Sequence, residues 1–177
     1  MPRPAQQAAT AAPTAEHDFA TLLQAARPRL WLVARAILSN DADAEDCLQD
    51  AAIIGLTKHN AGEFTPGTNF EAWMGQITRY AALNALRKRR PHGRRDDPAS
   101  RPPPPDADRA DPLRDALARL DETARLCLVL RIVGGLPYAA ISAIAGIPEG
   151  TAASHVHRSQ RALRGWLATA RSQGDLS

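Results

Sequence analysis

Between Pro91 and Pro112 the chain carries seven of its 14 prolines, with Pro102–Pro105 consecutive, and almost no large apolar residue. Such a stretch can neither continue a helix nor pack a core, so it divides the 177 residues into two folding units. Hydrophobic residues make up 44% of the chain, enough for each unit to have a core of its own. Fully extended at about 3.1 Å per residue, the stretch spans roughly 65 Å, the length of about 19 base pairs at 3.4 Å each. Two separate contacts on one duplex lie within that reach, although a plain flexible spacer fits the composition equally well.

On either side of the tether the apolar residues recur at helical intervals and no strand pattern or internal repeat appears. The expected organisation is all-α: a leader over 1–15, a first helical domain over 16–90, a linker over 91–111, a second helical domain over 112–171 and a tail over 172–177. In the first domain Leu30, Val33, Ala34 and Ile37 mark a helix running to Leu38, with Pro28 suited to its first turn. Asn40 or Asp41 caps a second helix carrying Ala44, Cys47, Leu48, Ala51 and Ile54. A loop with Gly62, Pro66 and Gly67 precedes a long helix through Phe70, Trp73 and Ile77 that ends in Arg87-Lys88-Arg89-Arg90. In the second domain a short helix with Leu113, Leu117 and Leu120 is followed by one over 122–133. Helices over 137–145 and from Glu149 onward flank the turn Gly146-Ile147-Pro148, a helix-turn-helix pattern with a basic second helix.

The net charge of +3 matters less than its distribution. Asp41, Asp43, Glu45, Asp46 and Asp50 form an acidic segment without a base, whereas Arg79 to Arg95 holds seven bases and no acid. The first repels phosphates and the second attracts them, though acids at a helix start and bases at a helix end also suit the helix dipole. Cys47 and Cys127 sit in apolar helical patterns far from any metal-ligand spacing and read as buried thiols. The N-terminal residues lack a basic region followed by an apolar core, and no apolar run approaches a membrane span, so the expected location is the cytoplasm.

The last helix opens with short polar side chains that let its N-terminus sink into a major groove. With Val156, Leu163 and Leu167 inward, Ser154, His155, Arg158 and Arg161 face outward; a solvated basic face is the plainer alternative. Near the other basic run, Phe70 and Trp73 are core aromatics by default, while Phe64 and Asn69 stand in a loop where they can meet an unpaired base.

Three motifs, in order, resemble the extracytoplasmic-function sigma factors of bacteria: Asp43-Ala44-Glu45-Asp46-Cys47-Leu48-Gln49-Asp50; Asn69-Phe70-Glu71-Ala72-Trp73-Met74 through Arg87-Lys88-Arg89; and Gly146-Ile147-Pro148-Glu149-Gly150-Thr151. The resemblance covers residues 18–90 and 112–168 and implies a sigma-2 and a sigma-4 domain. It implies that Asp43, Glu45, Asp46, Gln49 and Asp50 dock on core RNA polymerase. It implies that Phe64, Asn69, Trp73, Arg79, Tyr80, Arg87 and Lys88 capture the melted minus-ten element of promoter DNA. Gly150, Thr151, Ser154, His155, Arg158 and Arg161 would read the minus-thirty-five element as duplex. An anti-sigma factor is the usual regulatory partner in that family, and no cofactor, metal or small-molecule substrate is expected. Several positions depart from the family's pattern. Tyr80 and Asn84 replace Asn and Asp, and Ala140 replaces Glu. Ala152, His155, Ser159 and Gln160 replace Val, Arg, Ala and Arg, which removes two guanidinium groups from the last helix.

A helix-turn-helix regulator or adaptor acting without polymerase is the alternative, and the acidic helix of the first half separates the two. An enzyme is not expected. His17, His59, His92, His155 and His157 keep no company with a nucleophile, a metal-ligand set or a glycine-rich phosphate loop.

Overall fold

Asp18 starts the first helix: its carboxylate accepts the backbone N–H of Ala20 and the hydroxyl of Thr21. In the computed structural model, which describes residues 18–89 and 112–174, this helix, α1, runs over Phe19–Leu38. Pro28 therefore lies inside α1 and not at its start, which corrects the expectation from sequence. An interior proline typically costs about 3 kcal/mol. The cost is borne because Phe19, two and a half turns earlier, is buried against His59 and Phe70, which fixes the helix start upstream. The leader 1–15 and the linker 91–111 lie outside the described residues.

Helix α2 (Asp41–Asn60) begins at Asn40, whose side chain accepts the N–H of Asp43 at 3.0 Å while its amide donates to the Asp43 carboxylate. Helix α3 (Phe70–Arg89) begins beside Asn69, whose Oδ1 accepts the N–H of Ala72 at 3.1 Å. In the second half, α4 covers Pro112–Ala118, α5 covers Glu122–Ile132 behind an Asp121 cap, and α6 covers Tyr138–Ala145. Gly146 at φ 68° turns the chain through the left-handed region that closes α6, and α7 then runs over Glu149–Gly174, past residue 171 where the tail was expected. All regular elements among the described residues are helices.

Helices α1, α2 and α3 pack on one another; α7 packs on α4, α5 and α6. The two groups also join, with α5 against α1 and α6 against α3. The reason is visible on α1. Its buried residues Ala26, Leu30, Val33, Ala34, Ala36, Ile37 and Leu38 wrap roughly 200° of the helix at 100° per residue, twice the stripe that one neighbouring layer needs. One core therefore runs from Val33, Ile37 and Ala44 through Ala82 to Leu126, Leu130, Ile141, Ile144 and Val156. A second, largely aromatic cluster of Phe19, Leu30, Phe64, Phe70 and Met74 closes the far end of the first group.

Cys47 and Cys127, one from each group, are both buried free thiols in the shared core. Burial pushes each thiol up to about 11, helped by the negative charge of Asp50 near Cys47 and of Asp121 near Cys127. At pH 8 such a thiol is ionised roughly 100-fold less than an exposed one. Both cysteines are expected to react with a chromogenic disulfide reagent at least about 100-fold more slowly in the native chain than in guanidinium. Comparable rates in the two conditions would place them at the surface.

Candidate functional site

The acidic segment is divided by its own helix. Asp43 is spent on the Asn40 cap and Glu45 pairs with Arg27 of α1, so both serve the fold. Asp46, Gln49 and Asp50 are exposed and, with the 67% exposed Ile53, lie along one line of α2 at intervals of three and four. Ile54 and Leu56 extend the apolar end of this face. Neither Asp46 nor Asp50 has an ion-pair partner among the described residues. The surface is thus acidic at one end and apolar at the other, suited to a basic partner with a greasy rim. Sequence reasoning missed the isoleucines because periodicity assigned Ile54 to a core stripe that α2 fills instead with Ala44, Cys47, Leu48 and Ala51.

On α3, Trp73, Gln76, Tyr80, Asn84 and Arg87 fall within about 40° of one line down the helix. Tyr80 is 62% exposed in the middle of this line, and Arg87 and Lys88 are exposed at its end. Arg87 Nη1 donates to Asn84 Oδ1 at 3.1 Å, so the departure at position 84 orients a neighbouring cation. Arg79 stands a quarter turn away and half-buried, close enough to α5 for its charge to act on the Cys127 thiol.

Phe64, expected to be free for stacking on a base, is only 7% exposed. Its ring lies 5.1 Å from Trp73 and 5.4 Å from Phe70, edge-on to the latter, and stacks with His59 at 5.9 Å. It anchors the loop that sets the start of α3. Asn69 is exposed but its carbonyl oxygen is committed to the cap, and Trp73 is half-buried. Of the aromatic residues in this set, Tyr80 alone offers a freely exposed ring.

The turn between α6 and α7 is braced from behind. Ser142 Oγ donates to the Ile147 carbonyl at 2.6 Å, and Arg131 lies 4.8 Å over the Tyr138 ring while donating to the Leu136 carbonyl. These contacts fix where α7 starts. Its first turns present a shallow, open concavity lined by Gly150, Thr151, Ser154, His157 and Arg158, with Arg161 exposed one turn on. The Ser154 hydroxyl donates to the Gly150 carbonyl at 2.8 Å, which leaves its lone pairs outward.

The histidine in this concavity is His157, whereas His155 is half-buried on the flank. The inward stripe runs Ala152, Val156, Ser159 and Leu163, because two small residues pack where the sequence pattern gives no hydrophobic signal. That rotates the helix by about 30° from the stripe Val156, Leu163 and Leu167, under which the two histidines are equivalent. Ala152 and Ser159 are therefore core substitutions, and Gln160 shares the flank with His155.

Residues 22–92 match the family model for sigma-70 region 2 and residues 110–163 that for sigma-70 region 4. The extracytoplasmic-function RNA polymerase sigma factor SigE of Mycolicibacterium smegmatis is 32% identical over 151 residues, covering 79% of this chain and 58% of that longer protein. The chain thus spans less than two thirds of that relative. EcfG of Rhodopseudomonas palustris, another such factor, is 30% identical over 149 residues, covering 81% of each. The structure of the sigma factor RpoE from Bartonella quintana, in complex with the anti-sigma factor NepR, superposes with a TM-score of 0.66 at 26% identity, covering 85% of this chain and 97% of that one. Two helical regions of this kind define a sigma-70-type transcription initiation factor. Within that class, the chain belongs to the extracytoplasmic-function sigma factors of RNA polymerase.

If Phe64 is a core residue, Phe64→Ala should lower unfolding stability by about 3 kcal/mol or more in urea titration. A loss under about 1 kcal/mol would return the ring to the surface.

Proposed function

We propose that this chain docks on core RNA polymerase through the outer face of α2 and brings the enzyme to promoters whose two elements it reads in different ways. The single observation that carries this reading is the line Asp46, Gln49, Asp50 and Ile53, which is exposed and has no job in the chain's own fold. A DNA-binding regulator has no use for such a face, and phosphates repel it.

The outer line of α3 takes the minus-ten element as single strand. Tyr80 supplies the stacking surface, a role expected of Phe64, and base stacking of this kind is worth about 1–3 kcal/mol. Arg87 and Lys88 hold the backbone beside it. The concavity at the start of α7 takes the minus-thirty-five element as duplex, with Ser154 and His157 toward base edges and Arg158 and Arg161 toward guanine or phosphate. Binding one element paired and the other unpaired makes recognition favour strand opening, since the second contact exists only once the strands part. The likeness to a factor solved with its anti-sigma partner supports a protein inhibitor for this chain too.

Transcription in vitro from a randomised promoter library, with core polymerase plus or minus the chain, tests the whole. Initiation that depends on the chain supports it; duplex binding that ignores polymerase and starts no transcript would favour the regulator. Asp46→Lys with Asp50→Lys should weaken capture of core polymerase by roughly tenfold or more while leaving duplex binding by α7 intact. For DNA, His157→Ala should lower duplex affinity more than His155→Ala does. Arg158→Ala should cost about 1–3 kcal/mol at one base position if the guanidinium forks a guanine, or flatten the salt dependence by about one counterion if it holds a phosphate.

A further inference from the structure

We propose that Asn84 selects the base that stacks on Tyr80: it accepts a base with a keto oxygen, guanine or thymine, and disfavours one with an amino group in that place, adenine or cytosine. The inference rests on the function proposed above and names one specificity contact within it.

Three side chains on the outer line of α3 form a unit. Tyr80 is 62% exposed, Asn84 is half-buried one turn on, and Arg87 is exposed about a turn beyond that. Residues three and four apart are neighbours on a helix surface, so ring, amide and guanidinium follow one another within roughly 10 Å along the axis. Arg87 Nη1 donates to Asn84 Oδ1 at 3.1 Å. A guanidinium carries donors only, so the amide must meet it with its oxygen and turn its NH2 the other way. Arg87 stands toward the C-terminal end of α3 and Tyr80 toward the N-terminal end, to which helical side chains lean. The NH2 therefore lies on the Tyr80 side. Among the described residues the contact with Arg87 is the one hydrogen bond of this side chain.

That commitment changes what an asparagine can read. Its usual contact with adenine is bidentate and uses both amide atoms, the oxygen for the amino group and the NH2 for N7. With the oxygen held by Arg87, the side chain is left as a donor. Guanine O6 and thymine O4 accept such a donor, whereas adenine N6 and cytosine N4 present hydrogens to it. In the duplex the keto oxygens are bonded to the partner base, and they lose that bond when the strands part. Asn84 replaces it at the step where Tyr80 takes the face of the base, and the remaining donors of Arg87 are left for the adjoining phosphate. The preference is this chain's own. A carboxylate, which the family's pattern has at this position, can only accept and would favour the amino bases.

Holoenzyme assembled from core polymerase and the full chain, transcribing a promoter library randomised across the minus-ten element, reads the preference directly. At one position guanine and thymine should be enriched over adenine and cytosine by about threefold to tenfold, the effect of one hydrogen bond. Asn84→Asp should reverse that order at the same position, and Asn84→Ala should flatten it. Arg87→Ala frees the amide oxygen, so it should lower the yield of transcript and admit adenine there. A profile left unchanged by Asn84→Asp or Asn84→Ala overturns the inference, as does a change spread over the whole element. Exclusion of adenine that survives Arg87→Ala overturns the amide orientation on which it is built. No transcript from any promoter in the library would instead sink the function proposed above, and this inference with it.

Discussion

The last turn of α1 is where the molecule is joined. Two successive demands meet there: its own chain leaves carbonyls unpaired, and its apolar surface is too wide for α2 and α3 alone to cover. Helix α5 meets both, setting Leu126 and Leu130 against the apolar surface and the Arg125 guanidinium against the Ala36 carbonyl. A buried guanidinium is costly unless its donors are used, so Arg125 is favourable only in this seat. A helix end in one unit thus specifies where the other unit sits, and the relative placement of the outer faces of α3 and α7 follows from it.

The division of tasks along the chain has an electrostatic logic. Acidic side chains that the fold needs, Asp43 in a cap and Glu45 in an ion pair, lie toward α1; those it does not need lie on the outer face of α2. Basic groups gather at the end of α3 and along the outer face of α7, where a helix C-terminus or open solvent tolerates them before any nucleic acid arrives. Opposite charges are kept on separate surfaces, so each of these surfaces presents a field of one sign.

Much of this was legible in the sequence. Asn40 caps the helix start it announces, and Gly146 and Pro148 mark the turn before α7; Asn69 and Asp121 are caps that the sequence reading did not single out. The misreadings share a physical origin. Pro28 resembles a helix start because its ring suits a first turn, but Asp18 and the buried Phe19 set the start nine residues earlier. Phe64 lies in a loop, where aromatic rings are normally free, yet it is the centre of a ring cluster built from residues on either side of it. His157 was indistinguishable from His155 until Ala152 and Ser159 were seen to be buried, since small side chains leave no mark on a hydrophobic pattern. The junction between the units was invisible for the same reason: an apolar residue that faces a distant helix reads like one that faces its neighbour.

Ile53, Ile54 and Leu56, exposed on α2, also bear on how the protein behaves while unengaged. Three large aliphatic groups on one helix are adhesive, and two copies meeting face to face would bury them at once. Asp46 and Asp50 stand beside them on each copy, so the approach of like surfaces brings carboxylates together. The same carboxylates thereby act as gatekeepers against self-association. That protection weakens as salt rises, and crowded or saline conditions are where this chain becomes prone to clumping.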